Sequence, residues 1–209
     1  MKKILSILIT SLFFTISANA GGMIGIKAGA GSLSGERTED ASHGVSTNAS
    51  GSIDSEYAAI FAEVEAGSMV SLGLEIVPLE AKIDTKATTT TDSTVTVENF
   101  KTLYALVPVG SNGIYGKVGY SHADLSVKAN YDTVVVNSSS DTLEGPMVGI
   151  GVQFDNPLPF LDIIRVEGNY HKFDELKITT TNTTGTAQTT AKKGEADLMT
   201  LSISLAKSF

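Results

Sequence analysis

Beyond its first 20 residues, the chain alternates apolar with polar or small side chains in segments of about ten residues. Alternation with a period of two is typical of β-strands with one apolar face, and about ten residues let a tilted strand cross a membrane. No later stretch is apolar for long enough to form a transmembrane helix, so a membrane-inserted mature chain must form a barrel. Eight segments carry this pattern, at 23–33, 57–66, 72–82, 99–109, 113–124, 145–154, 163–173 and 198–209.

The connections between these segments alternate strictly between long and short. The long ones, 34–56, 83–98, 125–144 and 174–197, are rich in Ser, Thr, Asn and Asp; the short ones are 67–71, 110–112 and 155–162. Short turns on one rim and long loops on the other are typical of outer-membrane barrels. The pattern predicts an all-β fold, an eight-stranded antiparallel up-and-down transmembrane β-barrel, over residues 21–209.

Residues 1–20 have the features of a cleaved secretory signal peptide. Lys2 and Lys3 precede an apolar core at 4–16, and Ala18-Asn19-Ala20 matches a small-x-small cleavage site. Cleavage would remove two of the 15 Lys and Arg, which gives the mature chain a charge of 13 − 23 = −10. A chain this acidic is not expected to bind nucleic acid. The absence of Cys excludes disulfides and thiolate chemistry.

Dividing each segment by parity separates an apolar face from a charged one. The apolar face carries charges only near the predicted rims, at Glu80, Lys82, Lys172 and Lys207. Charges on a lipid-facing surface are costly at mid-depth and tolerated near the interfaces. The opposite face is expected to line the lumen with a network of balanced charges, formed by Lys27, Glu63, Glu65, Glu75, Lys101, Lys117, Arg165 and Glu167.

The final segment carries alternating apolar residues up to a terminal aromatic residue, through Leu201, Ile203, Leu205 and Phe209. This segment, together with strand-like stretches at 114–121, 148–152 and 165–170, resembles the small OmpA-like, opacity-protein-like outer-membrane barrel domains. Lys207 departs from the usual apolar residue at its position. The resemblance implies an eight-stranded barrel with periplasmic termini, no shared catalytic residues, and recognition of the last strand by the barrel-insertion machinery.

A soluble barrel of the lipocalin kind is the competing interpretation, because it would have the same parity with the apolar face turned inward. The sorted connections, the small residues of the polar face and the terminal Phe209 favour the membrane form.

For function, the sequence predicts a structural or surface-interaction role in the bacterial outer membrane. Its partners would be outer-membrane lipid and an extracellular ligand bound through the long loops. An interior of eight strands is just wide enough for side chains to fill it, so we expect a plugged lumen, with a narrow, low-conductance pore as the alternative. No cofactor or metal is expected. A lipid-A-modifying enzyme is the second alternative; its candidate cluster is His171 with Asp174 and Glu175, but no Ser lies two residues from His171.

Overall fold

The fold is described by a computed structural model, which covers residues 21–38, 48–67, 69–87, 91–131, 134–155, 161–174, 176–182 and 188–209. The predicted signal peptide lies outside these residues. The described residues form ten strands: β1 (Gly22–Thr38), β2 (Asn48–Glu65), β3 (Ser71–Ile76), β4 (Ala81–Ala87), β5 (Thr91–Pro108), β6 (Ile114–Tyr131), β7 (Val134–Asp155), β8 (Ile163–Lys172), β9 (Leu176–Asn182) and β10 (Gln188–Ser208).

Eight of these strands close into an all-antiparallel barrel. Neighbouring strands follow the order β1-β2-β3-β5-β6-β7-β8-β10, and pairing of β1 with β10 closes the ring. The proximal end is where Gly22 and Phe209 exchange two backbone hydrogen bonds of 2.9 and 3.0 Å; the opposite end is called distal. The predicted fold class is therefore confirmed, and each predicted segment contains one barrel strand. The third segment, 72–82, is wrong at its distal end, because β3 ends at Ile76 and residues 81–82 belong to β4.

The strands extend much further distally than the sequence predicted. Most of the expected long loops continue the strands instead, which corrects those predictions. β3 and β8 end at Ile76 and Lys172, and beyond them the wall continues as two ribbons of paired strands, β9-β10-β1-β2 and β4-β5-β6-β7. The Thr-rich composition of these segments favours strands, although it lacks the apolar alternation by which a strand is recognised.

The outer surface of the barrel is a belt of exposed aliphatic side chains, whereas charged side chains are buried inside. Ile26, Ile150 and Leu201 are 60%, 64% and 65% exposed, while Lys27 and Glu167 are at most 3% exposed. A soluble barrel would have the reverse arrangement, because burial of the apolar face drives its folding. The lipocalin-like alternative is therefore wrong, and the two faces are arranged as in transmembrane barrels.

Strand β5 is the one barrel strand whose faces the sequence analysis assigned wrongly. Thr102, Tyr104 and Leu106 were expected to face lipid, but they are buried in the lumen, and Lys101 points outward. The cause is a β-bulge between Glu98 and Lys101, which shifts the alternation by one residue and so exchanges the two faces. Asn99 occupies the left-handed region at this bulge, with φ of 56°.

At the proximal end, the connection before β8 is tied to the last strand by Asp162. Its Oδ1 accepts a 2.8 Å hydrogen bond from Lys207 Nζ, and its Oδ2 accepts bonds from the backbone N (2.9 Å) and Oγ (2.6 Å) of Ser208. These bonds, the one from Lys207 foremost, lower the pKa of Asp162 from 3.8 to about 2.

A lowered pKa in the folded state means that the Asp162 contacts stabilise the barrel above the ordinary pKa and are lost as pH falls toward 2. We therefore expect Asp162→Asn to be less stable than wild type at pH 6. The difference should shrink between about pH 4 and pH 2, as measured by urea unfolding in lipid vesicles. Asp155→Asn, on the other arm of the same connection, is the control. A difference between wild type and Asp162→Asn that does not change with pH would contradict this role.

Candidate functional site

Four charged side chains meet across the middle of the lumen. Lys27 lies on β1, Glu75 on β3, Lys117 on β6 and Glu167 on β8, so they come from every second strand of the barrel. Lys27 Nζ donates to Glu75 Oε2 at 2.5 Å and to Glu167 Oε2, and Lys117 Nζ lies 3.2 Å from each of the same two oxygens. Each ammonium thus bridges both carboxylates. We call these four residues the charge cluster.

A second group of polar side chains supports the charge cluster on its proximal side. Arg165 Nη1 donates to Glu63 Oε1 at 2.6 Å, and the Tyr104 hydroxyl donates to the same oxygen at 2.7 Å. The Tyr115 hydroxyl donates to Glu167 Oε1 at 2.8 Å, so the second group is linked directly to the cluster. Lys117 Nζ also lies 3.9 Å from the centroid of the Tyr104 ring, within cation–π range.

Two glycines leave the room that these tyrosines occupy. A Cβ atom at Gly73 would lie 2.3 Å from the Tyr104 ring, and one at Gly151 would lie 2.4 Å from the Tyr115 ring. The small residues that the sequence analysis noted on the polar face therefore have a local purpose. They allow two large side chains to lie flat across the lumen and to reach the carboxylates of Glu63 and Glu167.

The charge cluster separates two spaces within the barrel. On the proximal side is a mixed polar and apolar vestibule of about 500 Å³, bordered by Glu63, Arg165 and Phe209 among others. On the distal side is a cavity of about 110 Å³ within a largely apolar core that includes Leu143 and Phe173. Among the described residues, three basic and three acidic side chains are buried between or beside these spaces, so the buried charges of the lumen sum to zero.

Six of the eight predicted lumen charges lie inside the barrel and contact one another. The predictions for the other two are wrong. Glu65 is exposed and borders the vestibule at the proximal rim, because β2 ends at this residue. Lys101 is exposed on the outer surface, because the bulge in β5 turns it outward, where it is the register partner of His122 near the distal rim.

The uncharged partners in the lumen were not among the predicted residues. Tyr104 was assigned to the lipid face, and neither Tyr115 nor Gln153, which accepts a 2.9 Å hydrogen bond from Arg165 Nε, was considered. Aromatic residues of inward parity close to charged ones are the signal that could have identified Tyr115.

The candidate catalytic residue His171 has a serine partner that the sequence spacing did not reveal. His171 Nδ1 and Ser121 Oγ share a 2.8 Å hydrogen bond, and Ser121 Oγ lies 3.0 Å from Thr102 Oγ1. His171 also packs against the rings of Phe100 and Phe173. Ser121 has no exposed surface. Asp174 is exposed beyond the end of β8, and Glu175 lies outside the described residues.

The predicted C-terminal insertion signal lies along the outer surface of β10. Leu201 and Ile203 are largely exposed, Leu205 is partly exposed, and Phe209 packs over Gly22 at the proximal end. The first three belong to the apolar belt.

Within the residues that the structure describes, no group of three or more His, Asp or Glu side chains is placed to hold a metal ion. No helix in this part of the chain has the length and apolar character needed to span a membrane.

Solved structures with the same architecture are outer-membrane proteins. OprG from Pseudomonas aeruginosa has a TM-score of 0.53 and 11% identity, covering 90% of this chain and 96% of that one. The protease OmpT from Escherichia coli has a TM-score of 0.53 and 10% identity, with coverage of 92% and 98%. AlkL, solved in lipid bilayers, has a TM-score of 0.50 and 16% identity, with 91% of both chains covered. At these identities the likeness is one of fold.

Comparison with protein-family models gives no match, and comparison with curated protein sequences gives none. Membership of the OmpA-like family therefore stays a prediction.

Replacing one member of the charge cluster should cost more than replacing a complementary pair. Lys117→Met leaves two carboxylates sharing Lys27, and an uncompensated buried charge typically costs about 3–5 kcal/mol. Lys117→Met combined with Glu167→Gln restores neutrality and retains the 2.5 Å Lys27–Glu75 pair. We expect the double variant to lose less free energy of unfolding, measured in urea, than the sum of the losses of the two single variants.

Lys101→Met is the matched control for this series, because it removes the same charge from the outer surface and should change stability little. Strictly additive effects of Lys117→Met and Glu167→Gln would show that the two side chains do not act as one unit.

Proposed function

We propose that this protein is an integral component of the bacterial outer membrane with a structural or surface-interaction role, and that its lumen is closed by the charge cluster. The observation that carries the proposal is the contrast between a charge-balanced interior and an exposed aliphatic belt. Such a belt is stable only against hydrocarbon or another apolar surface, and its outer-membrane setting agrees with the fold likeness to OprG, OmpT and AlkL.

In this proposal the proximal end faces the periplasm, and the two distal ribbons project outward from the membrane. The paired strands of the ribbons extend beyond the lipid-facing belt, where an extracellular ligand could contact them. The last strand, with Leu201, Ile203, Leu205 and Phe209, serves as the segment that the barrel-insertion machinery recognises.

We further propose that the protein is not an enzyme. A Ser–His pair acts as a nucleophile and base only if the serine hydroxyl can reach a substrate carbonyl. Ser121 is enclosed by Thr102 and His171 and is absent from the lining of the distal cavity. The pair is better explained as a structural hydrogen bond between β6 and β8.

The narrow-pore alternative is supported by the two spaces on either side of the charge cluster. A continuous path would need the Lys27 and Lys117 contacts with Glu75 and Glu167 to separate. Four ion pairs that share two carboxylate oxygens resist this, because breaking one leaves a charge partly uncompensated.

Insertion in lipid predicts a steep dependence of stability on the depth of a new charge. Ile150 is 64% exposed at mid-belt, paired with Gly116 and Gly168, so Ile150→Lys should cost about 2–4 kcal/mol of folding free energy in phospholipid vesicles. Phe154→Lys, on the same face near the proximal rim, should cost about 0–1 kcal/mol. Equal effects of the two substitutions would contradict the proposed orientation in lipid.

Planar-bilayer recording tests the closed lumen. Wild type should show no steady conductance, whereas Lys117→Ala combined with Glu167→Ala should conduct, because it shortens two of the four side chains without changing the net charge. Ile203→Ala on the lipid-facing surface is the control, and heat-modifiable migration in gels verifies folding of each variant. Wild-type conductance equal to that of the double variant would support the pore instead.

A further inference from the structure

The distal cavity is enclosed on one side by the charge cluster. Glu75 belongs to both, since its carboxylate accepts hydrogen bonds from Lys27 and Lys117 and its side chain borders the cavity. The rest of the boundary comes from distal parts of β1, β2, β5, β7, β8 and β10 and from the connection between β3 and β4. A molecule that entered from the distal side would therefore be stopped by the paired side chains of the charge cluster.

The walls of this cavity are apolar and rich in rings. Tyr57, Phe100, His171 and Phe173 border it, together with aliphatic side chains such as Leu143. Phe100 meets His171 edge-on with centroids 5.6 Å apart, and His171 stacks on Phe173 at 6.2 Å. Rings arranged in this way present both faces and edges, which are the two surfaces that another aromatic ring prefers to contact.

The size of the cavity limits what it can hold. Its volume is about 110 Å³, and an apolar protein cavity of about 150 Å³ lined by similar side chains stays dry and binds benzene. A single six-membered ring is therefore about the largest rigid molecule that fits without rearrangement. A charged ligand is disfavoured, because Glu75 is already paired with two ammonium groups and the remaining lining cannot compensate another charge.

The barrel wall has an interruption beside the cavity. β2 pairs with β3 only as far as Ile60 and Ile76, and among the described strands no ladder joins β2 to β4. The cavity borders this interruption through Tyr57 on one side and Val77 and Leu79 on the other, and Leu79 is 66% exposed. A small apolar molecule thus has a route to the cavity that avoids the charge cluster.

We propose that the distal cavity is a binding site for a neutral, single-ring aromatic molecule, which enters beside Leu79 and stops above Glu75. Tyr57, Phe100, His171 and Phe173 supply the ring contacts. The site is a closed pocket, so it binds its ligand without conducting it across the barrel.

Because the chain has no Trp, a single introduced indole reports on its surroundings without interference. Phe100→Trp places the indole in the cavity wall, and Leu103→Trp places it on the lipid-facing surface of the same strand. Bromobenzene, which quenches indole fluorescence on contact, is the probe, with both variants in phosphatidylcholine nanodiscs. We expect saturable quenching of Phe100→Trp, and only a linear, unsaturable dependence for Leu103→Trp, whose indole meets probe dissolved in lipid.

Two further measurements identify the cavity as the binding site. Benzene, which lacks the quenching bromine, should compete with bromobenzene and relieve the quenching of Phe100→Trp. It should leave the quenching of Leu103→Trp unchanged. Adding Gly31→Leu to Phe100→Trp introduces a side chain that fills the cavity, since Gly31 borders it and a Cβ there lies 3.1 Å from Leu198. Saturable quenching should then weaken at least about tenfold.

Folding of each variant is verified by heat-modifiable migration in gels. Because Phe100 itself borders the cavity, the thermal unfolding of wild type is also compared with that of Gly31→Leu in the presence of benzene. Linear quenching of a folded Phe100→Trp barrel together with equal effects of benzene on these two unfolding temperatures, or saturable quenching that is unaffected by benzene, would overturn the proposal. So would unchanged saturable quenching in a folded variant that also carries Gly31→Leu. If Gly31→Leu prevents folding, the comparison of Phe100→Trp with Leu103→Trp and the benzene competition decide the question alone.

Discussion

The pairing of two ammonium groups with two carboxylates across the lumen is the interaction on which the rest of the barrel depends. An eight-stranded barrel has an interior that side chains must fill, and here the polar face of each strand supplies that filling. Lys27, Glu75, Lys117 and Glu167 come from alternate strands, so their contacts span the ring in more than one direction. Backbone ladders connect each strand to its two neighbours, whereas the charge cluster connects strands that do not touch.

The charge cluster also explains why the interior changes character along the barrel axis. Arg165, Glu63 and two tyrosines continue the polar network toward the vestibule. On the distal side the charges are already compensated, so the lumen there can be apolar, with Leu143, Phe173 and Ala123 in its core. A water-filled channel would need polar walls throughout. The distal core therefore supports a closed barrel as strongly as the ion pairs do.

Most of the fold could be predicted from the sequence, because two-residue periodicity is a local signal. Seven strands had their faces assigned correctly, since charges occurred on only one parity at mid-height. β5 was the exception: both of its faces are largely apolar, so Lys101 alone decided the assignment, and the bulge at Asn99 left no local trace. The site was harder to predict, because the contact of Ser121 with His171 joins residues 50 positions apart. Parity gives the face of a residue but not its partner.

The barrel wall is interrupted after β3 and before β9, and these interruptions separate the lipid-facing barrel from the distal ribbons. Below them, every barrel strand has two ladder partners, and the lipid-facing belt is continuous. Above them, no ladder among the described strands joins the two ribbons, so local opening there costs less than opening of the barrel itself. The charge cluster lies below the interruptions and the distal cavity lies beside one of them. If Lys27 and Lys117 keep the lumen closed, as proposed, movement of the ribbons would change access to the cavity alone.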